Sequence, residues 1–154
     1  MEKVEIAKKI LLSIHVVASI LWVGAVYMGA VVDWPAAKNS VPKTKFPFKF
    51  IIGQGTRVFY SVYTGIILLW FSGIGLTVIT LPVTERDIVI LCLKLFCLLT
   101  MTVLTLYGTF FTWPKLQTSL DQEANKKYKN YIFRAYITLI SGIIAAILGV
   151  NLYN

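Results

Sequence analysis

Residues 10–32 read ILLSIHVVASILWVGAVYMGAVV, an apolar run that carries one histidine and no other ionisable side chain except Tyr27. At ~1.5 Å rise per residue a helix of this length crosses a ~30 Å hydrocarbon core, which needs ~20 apolar residues. The run is too long for the apolar part of a cleavable leader, holds His15 inside it and follows the acidic Glu2 and Glu5. It therefore reads as a permanent span.

Three further windows meet the same length: Val58 to Leu81, Ile88 to Thr112 and Tyr131 to Leu152. The chain is 57% hydrophobic and 14% charged, against ~25% charged for a soluble domain. Most of it must therefore face lipid. The expected fold is an all-α integral membrane protein, a four-transmembrane-helix bundle forming a single membrane domain over residues 1–154.

The net charge of +8 comes from lysines in the segments that flank the spans, which suits anionic lipid head groups; no nucleic-acid motif is present. Lys3, Lys8, Lys9 and Arg86 lie at the ends and the short middle turn. The other ten basic residues outside the spans, Lys38, Lys43, Lys45, Lys49, Arg57, Lys115, Lys126, Lys127, Lys129 and Arg134, lie in the two long loops or at the span entrances beside them. The positive-inside rule then puts both termini outside and loops 33–57 and 114–130 in the cytoplasm, in a bacterial inner membrane. The first of these loops interleaves Lys43, Lys45 and Lys49 with Phe46, Phe48 and Phe50. It reads as a surface-lying segment with rings in the head-group layer.

An internal repeat organises the spans. Shifted by 79 residues the first overlays the third, with Trp34-Pro35 on Trp113-Pro114, Gly29 on Gly108 and His15 on Lys94. Shifted by 77 the second overlays the fourth, with Arg57 on Arg134 and Gly65-Ile66-Ile67 on Gly142-Ile143-Ile144. The repeats cover about residues 8–81 and 87–152. Each contains two spans, so the copies are parallel repeats related by an axis along the membrane normal. Small residues at helical spacing, Ala25 and Gly29, Ser61 and Gly65, and Ser141, Ala145 and Gly149, are expected to line the interior, where close packing drives association in lipid. Cys92 and Cys97 are separated by about 140° on one helix, which excludes a disulfide and leaves them as small buried residues.

His15 lies six residues past Lys9 and Lys94 seven past Asp87, depths of ~9 Å and ~10 Å from one boundary. Pseudo-twofold symmetry would set them on opposite sides of one interior cavity. Ionisable groups within a span are costly, so both are candidate site residues; snorkelling of Lys94 and a plain hydrogen bond from His15 are the structural alternatives. Ser19 and Trp22 fall four and seven residues beyond His15 and share its face, Trp22 either as cofactor wall or as bundle core. One imidazole with no carboxylate in any span makes neither an ordinary transition-metal site nor a carboxylate proton relay. A single axial bond to haem iron needs only one histidine.

His15, Trp22 and Gly24 form H-x6-W-x-G, followed by Arg57, Thr64-Gly65 and then Lys94 in the third span. This order, over about residues 8 to 150, resembles the copper-resistance-D (CopD) family and, more distantly, the membrane protoporphyrinogen oxidase (HemJ) family. The second resemblance implies haem b held near an essential His and Lys, which map onto His15 and Lys94. The chain departs from that family after Tyr27, where Met28-Gly29-Ala30 and Asp33-Trp34 replace a Leu-Pro-Arg stretch and a second histidine, so the oxidase motif is incomplete. The first resemblance implies copper movement. Copper calls for several soft or imidazole ligands, whereas the spans offer His15, Met28, Met101 and two diverging cysteines, which ranks copper below haem. A third reading is an accessory subunit of a larger membrane complex, or a homo-oligomer.

Overall fold

The apolar windows form four long helices in a computed structural model that describes residues 2–80 and 84–152. Leu81, where the second window ends, lies outside the described residues. Helix α1 (Glu2–Tyr27) runs through a π-helical turn (Met28–Asp33) into α2 (Trp34–Asn39), and α3 (Phe48–Thr80) returns. Helix α4 (Glu85–Tyr107) runs through a second π turn (Gly108–Thr112) into α5 (Trp113–Gln117), and α6 (Asp121–Leu152) returns. Thr84 opens α4 with a capping box: its hydroxyl accepts from the Asp87 N–H and its own N–H donates to the Asp87 carboxylate, both at 3.2 Å. Each of the four long helical runs is long and apolar enough to cross a membrane.

The two π turns have a local cause. Proline lacks an N–H and clashes with the carbonyl four residues earlier, so an α-helix cannot pass through Trp34-Pro35 or Trp113-Pro114 undisturbed. A wider turn just ahead relieves this, and each proline then falls in the first turn of a new helix, where its missing donor costs nothing. In both hairpins the tryptophan N–H closes the wide turn, Trp34 onto the Gly29 carbonyl and Trp113 onto the Gly108 carbonyl.

Helix α1 packs along α3 and α4 along α6, while α1 and α6 join the two hairpins. Gly65 on Trp22 and Gly142 on Met101 are contacts within the hairpins at matching offsets, while Gly142 also meets Val23 of the other hairpin. A Cβ on Gly65 would stand 3.1 Å from Trp22 Cβ and 3.2 Å from the Ala18 carbonyl; one on Gly142 would stand 3.2 Å from Met101 Cε and 2.7 Å from Val23 Cγ2. Trp22 and Met101 are 79 apart, and Gly65 and Gly142 are 77 apart. Ala18, Trp22, Ile66, Leu69 and Met101 form the mid-bundle core. Ile67, Phe71, Ile74 and Val78, spaced at helical intervals on α3, are exposed as an apolar stripe of the kind that faces lipid.

At the end of the bundle away from the termini, called the loop end here, the structure corrects the reading of residues 33–57 and 114–130 as long loops. Only short connections near 40–47 and 118–120 are non-helical, and α3 and α6 each start about ten residues before their apolar windows. The reason is a second core, in which Ala30, Ala37, Phe46, Ile51, Leu116, Ala124, Tyr128 and Ile132 are buried together. Phe46 is therefore not in the head-group layer: it is 4% exposed, against the rings of Trp34, Phe48 and Tyr128, while Phe50 does remain exposed. Lys38 likewise turns inward, donating to the carbonyls of Lys43 and Lys45 and to Asn125 Oδ1 at 2.9–3.1 Å.

Two smaller expectations also change. Ser61 is exposed rather than interior, because the buried face of α3 passes from Ile51 at the loop end to Gly65, Ile66, Leu69, Ser72 and Leu76. On α6 the fully packed small residue is Gly142, with Ser141, Ala145 and Gly149 only half-buried beside it. Cys97 is buried but Cys92 is exposed, as the angle between them requires, and both are free thiols.

Candidate functional site

His15 and Lys94 are the two charge-capable side chains deep in the terminal half of the bundle, and each meets the return helix of its own hairpin. His15 Nδ1 lies 2.9 Å from Ser72 Oγ on α3, and its Cε1 faces Gly73. The Lys94 ammonium lies against α6, 3.2 Å from where a Gly149 Cβ would stand. Ser72 and Gly149 are 77 apart, so the two contacts occupy equivalent positions. Each residue meets its own return helix, and neither lines the clefts at the loop end, so the expected shared cavity is not among them.

Ser72 fixes the state of the histidine. It is fully buried, and its hydroxyl donates to the Leu68 carbonyl at 2.5 Å. With its proton on Leu68, Ser72 Oγ can accept from His15 Nδ1–H, the tautomer that leaves the lone pair on Nε2. Metal-ligating histidines are oriented in this way, one nitrogen donating to a neighbour while the other faces the ligand. Sequence reasoning missed Ser72. Its only signal was an offset of 77 to Gly149, combined with the offset of 79 between the residues they meet.

The other two expected site residues behave differently. Ser19 donates to the His15 backbone carbonyl at 2.8 Å and does not touch the ring. Trp22 is wholly buried in the mid-bundle core, which bears out the core alternative for its ring, yet its indole N–H has no acceptor among the described residues.

The clefts lie elsewhere. Two adjoining ones open at the loop end and share Gly55, Val58, Val62, Thr105, Trp113 and Tyr131; α3 supplies a wall of both, and the one that holds Arg134 is lined by α1 and α6 as well. Neither is lined by His15, Lys94, Ser19 or Trp22. Glycines make room for the rings there: a Cβ on Gly55 would overlap the Trp113 ring at Cη2, and one on Gly108 would fall 2.8 Å from Tyr131 Cε2. Arg134 lines the smaller of the two clefts, its guanidinium over the Tyr107 ring at 4.8 Å and donating to Thr112 Oγ1 at 2.6 Å.

Among the described residues no group of three or more His, Cys, Asp or Glu side chains could hold a metal ion. Comparison of the chain with protein-family models, with characterised proteins and with solved structures finds no match.

Proposed function

We propose that this chain is an integral membrane protein that binds haem b through His15 in the terminal half of the bundle, in a redox or haem-related role. The observation that carries the reading is the bond from His15 Nδ1–H to the buried Ser72, which leaves Nε2 as a free donor inside a span. The donor set fits one axial bond to haem iron, for which a single imidazole suffices. Bound there, haem b would supply one-electron chemistry. His15 is oriented by its contact with Ser72. Lys94 serves better as the partner of a haem carboxylate than as a second ligand, because it keeps its proton in the first role and must lose it in the second. The same donor set disfavours copper, which calls for several ligands.

The basic residues support an orientation with both termini outside and the loop end in the cytoplasm of a bacterial cell. Exposed Lys43, Lys49, Lys115, Lys126 and Lys129 stand there to meet anionic head groups.

The test is an absorption spectrum of protein purified from its own membrane. A Soret band is expected, abolished by His15→Ala and shifted or weakened by Lys94→Met in a variant that still folds. A wild-type protein without haem, or a His15→Ala variant that keeps it unchanged, overturns the assignment. The close packing of Ser72 and Gly73 on the His15 ring favours the second reading, an accessory subunit of a larger membrane complex in which His15 is a helix-pairing residue. Co-purification of a haem-free chain with larger subunits would support it.

A further inference from the structure

The loop-end cleft contains a cation with no counter-ion. Among the described residues none of the ion pairs engages Arg134. One guanidinium nitrogen donates to Thr112, and the buried Nε has no acceptor among the described residues. The Tyr63 hydroxyl, on the α3 wall, is likewise buried without a partner. The position that matches Thr112 in the first hairpin is Asp33, a carboxylate, and it is engaged by the Gln54 amide. In the second hairpin the carboxylate is replaced by a hydroxyl and the arginine is left in a cleft of aromatic and aliphatic side chains. A charge in such surroundings is costly unless it is paired.

The shape of the cleft says where a partner would come from. Helices α1 and α3, α4 and α6, and α1 and α6 are packed together, but α3 and α4 touch little. Trp70 Nε1 donates to Thr102 Oγ1 at 3.2 Å and closes the α3–α4 seam at mid-height. Six residues further along α4, ~9 Å nearer the loop end, Gly108 lines the open part of the seam, with Phe59 and Tyr60 on its other wall. The opening thus faces the apolar side of the bundle.

We propose that this cleft binds the oxyanion head of an amphipath, a carboxylate or phosphate carried on an apolar chain, with Arg134 as the cation that holds it. The guanidinium pairs with the oxyanion in charge-assisted hydrogen bonds, Nε among the donors, and the apolar chain lies between Val58 and Val62 on one wall and Leu104 and Thr105 on the other. Trp113 borders the site and reports on it.

The experiment uses the full chain in micelles and three brominated quenchers of tryptophan fluorescence: dibromostearate, a brominated phosphatidylglycerol and, as the counterpart without net charge, a brominated phosphatidylcholine. Saturable quenching by at least one anionic probe is expected, with half-saturation at least about tenfold below that of phosphatidylcholine. Which anionic probe binds separates a free carboxylate from a lipid phosphate as the source. Trp113→Phe should remove the saturable component, Arg134→Gln should weaken it about tenfold or more, and Arg57→Gln, the exposed equivalent, should change it less than about twofold. Should Arg134→Gln fail to fold, Val62→Phe, which fills the cleft away from the guanidinium and adds no tryptophan, should abolish the same component. Equal quenching by phosphatidylcholine overturns the proposal. So does a folded Arg134→Gln that binds as wild type, or an equal loss in Arg57→Gln. His15→Ala should leave the quenching intact, so that this proposal and the haem assignment stand or fall separately.

Discussion

Gly65→Leu is the sharpest test of how the bundle holds together. An added Cβ already stands 3.1 Å from Trp22 Cβ and 3.2 Å from the Ala18 carbonyl oxygen, and both of those residues are fully buried. Neither atom can swing aside: one is fixed to the α1 backbone and the other is part of it. Leucine drives three more carbons into the same contact, so α1 and α3 must separate. Overpacking of this kind costs ~1–3 kcal/mol, several times the ~0.6 kcal/mol of an average interhelical hydrogen bond in membranes. A loss of ~2 kcal/mol lowers the folded-to-unfolded ratio by a factor of ~30. Gly142→Leu should cost less, because its tightest neighbours, Val23 Cγ2 and Met101 Cε, are ends of side chains that can rotate. Gly24→Leu, with no atom within 4 Å of its Cβ, is the neutral control. Reversible unfolding in mixed micelles should rank the three in that order. A Gly65→Leu protein as stable as Gly24→Leu would refute the packing argument.

Gly55→Ala should displace the Trp113 ring, since its methyl would overlap Cη2, and should shift Trp113 emission while Gly53→Ala does not; unchanged emission counts against the contact between Gly55 and Trp113. At the loop end the Phe46 backbone N–H, at 2.9 Å, and the Lys45 ammonium, at 3.3 Å, hold the Asp121 carboxyl below the usual carboxylate range against the opposing effect of desolvation. A lowered folded-state pKa gives stability that is present above the unfolded pKa and lost as pH falls through the folded one, so protection of the Phe46 amide from exchange should fall below about pH 4. Asp121→Asn should remove that transition, and an identical acid profile would sink the idea. For orientation, in a background with Cys92 and Cys97 replaced by alanine, an impermeant maleimide on intact cells should label a cysteine at position 3 and not one at 126. The reverse pattern overturns the topology.

What the sequence disclosed and what it hid divide along physical lines. Four apolar windows were legible because the length of an apolar run is a property of local sequence, and the offsets of 79 and 77 that relate His15 to Lys94 also relate the positions they meet, Ser72 and Gly149. The second core was not legible. Residues 33–57 and 114–130 carry the lysines, and charge density masked the burial of Phe46, Tyr128 and Leu116 beneath them. Ser72 was hidden for a different reason: a serine in an apolar span has no pattern of its own, and only its partner 57 residues away gives it a role. Arg134 was counted as a loop-side positive charge, yet its guanidinium turns to Thr112 and Tyr107.

The matched offsets suggest where a duplicated hairpin would have been free to change. Contacts that hold helices together recur as pairs: Gly65 on Trp22 answers Gly142 on Met101, and each π turn is closed by a tryptophan N–H on a glycine carbonyl. The chemical groups differ between the copies. His15 on Ser72 corresponds to Lys94 on Gly149 at the terminal end, and Asp33 with Arg57 corresponds to Thr112 with Arg134 at the loop end. Gly149 offers Lys94 no hydroxyl where Ser72 offers one to His15, and Thr112 offers Arg134 a hydroxyl but no charge where Asp33, itself engaged by Gln54, stands in the other hairpin. At both ends of the bundle the cation with the smaller or uncharged neighbour lies in the second hairpin, Lys94 beside Gly149 and Arg134 beside Thr112.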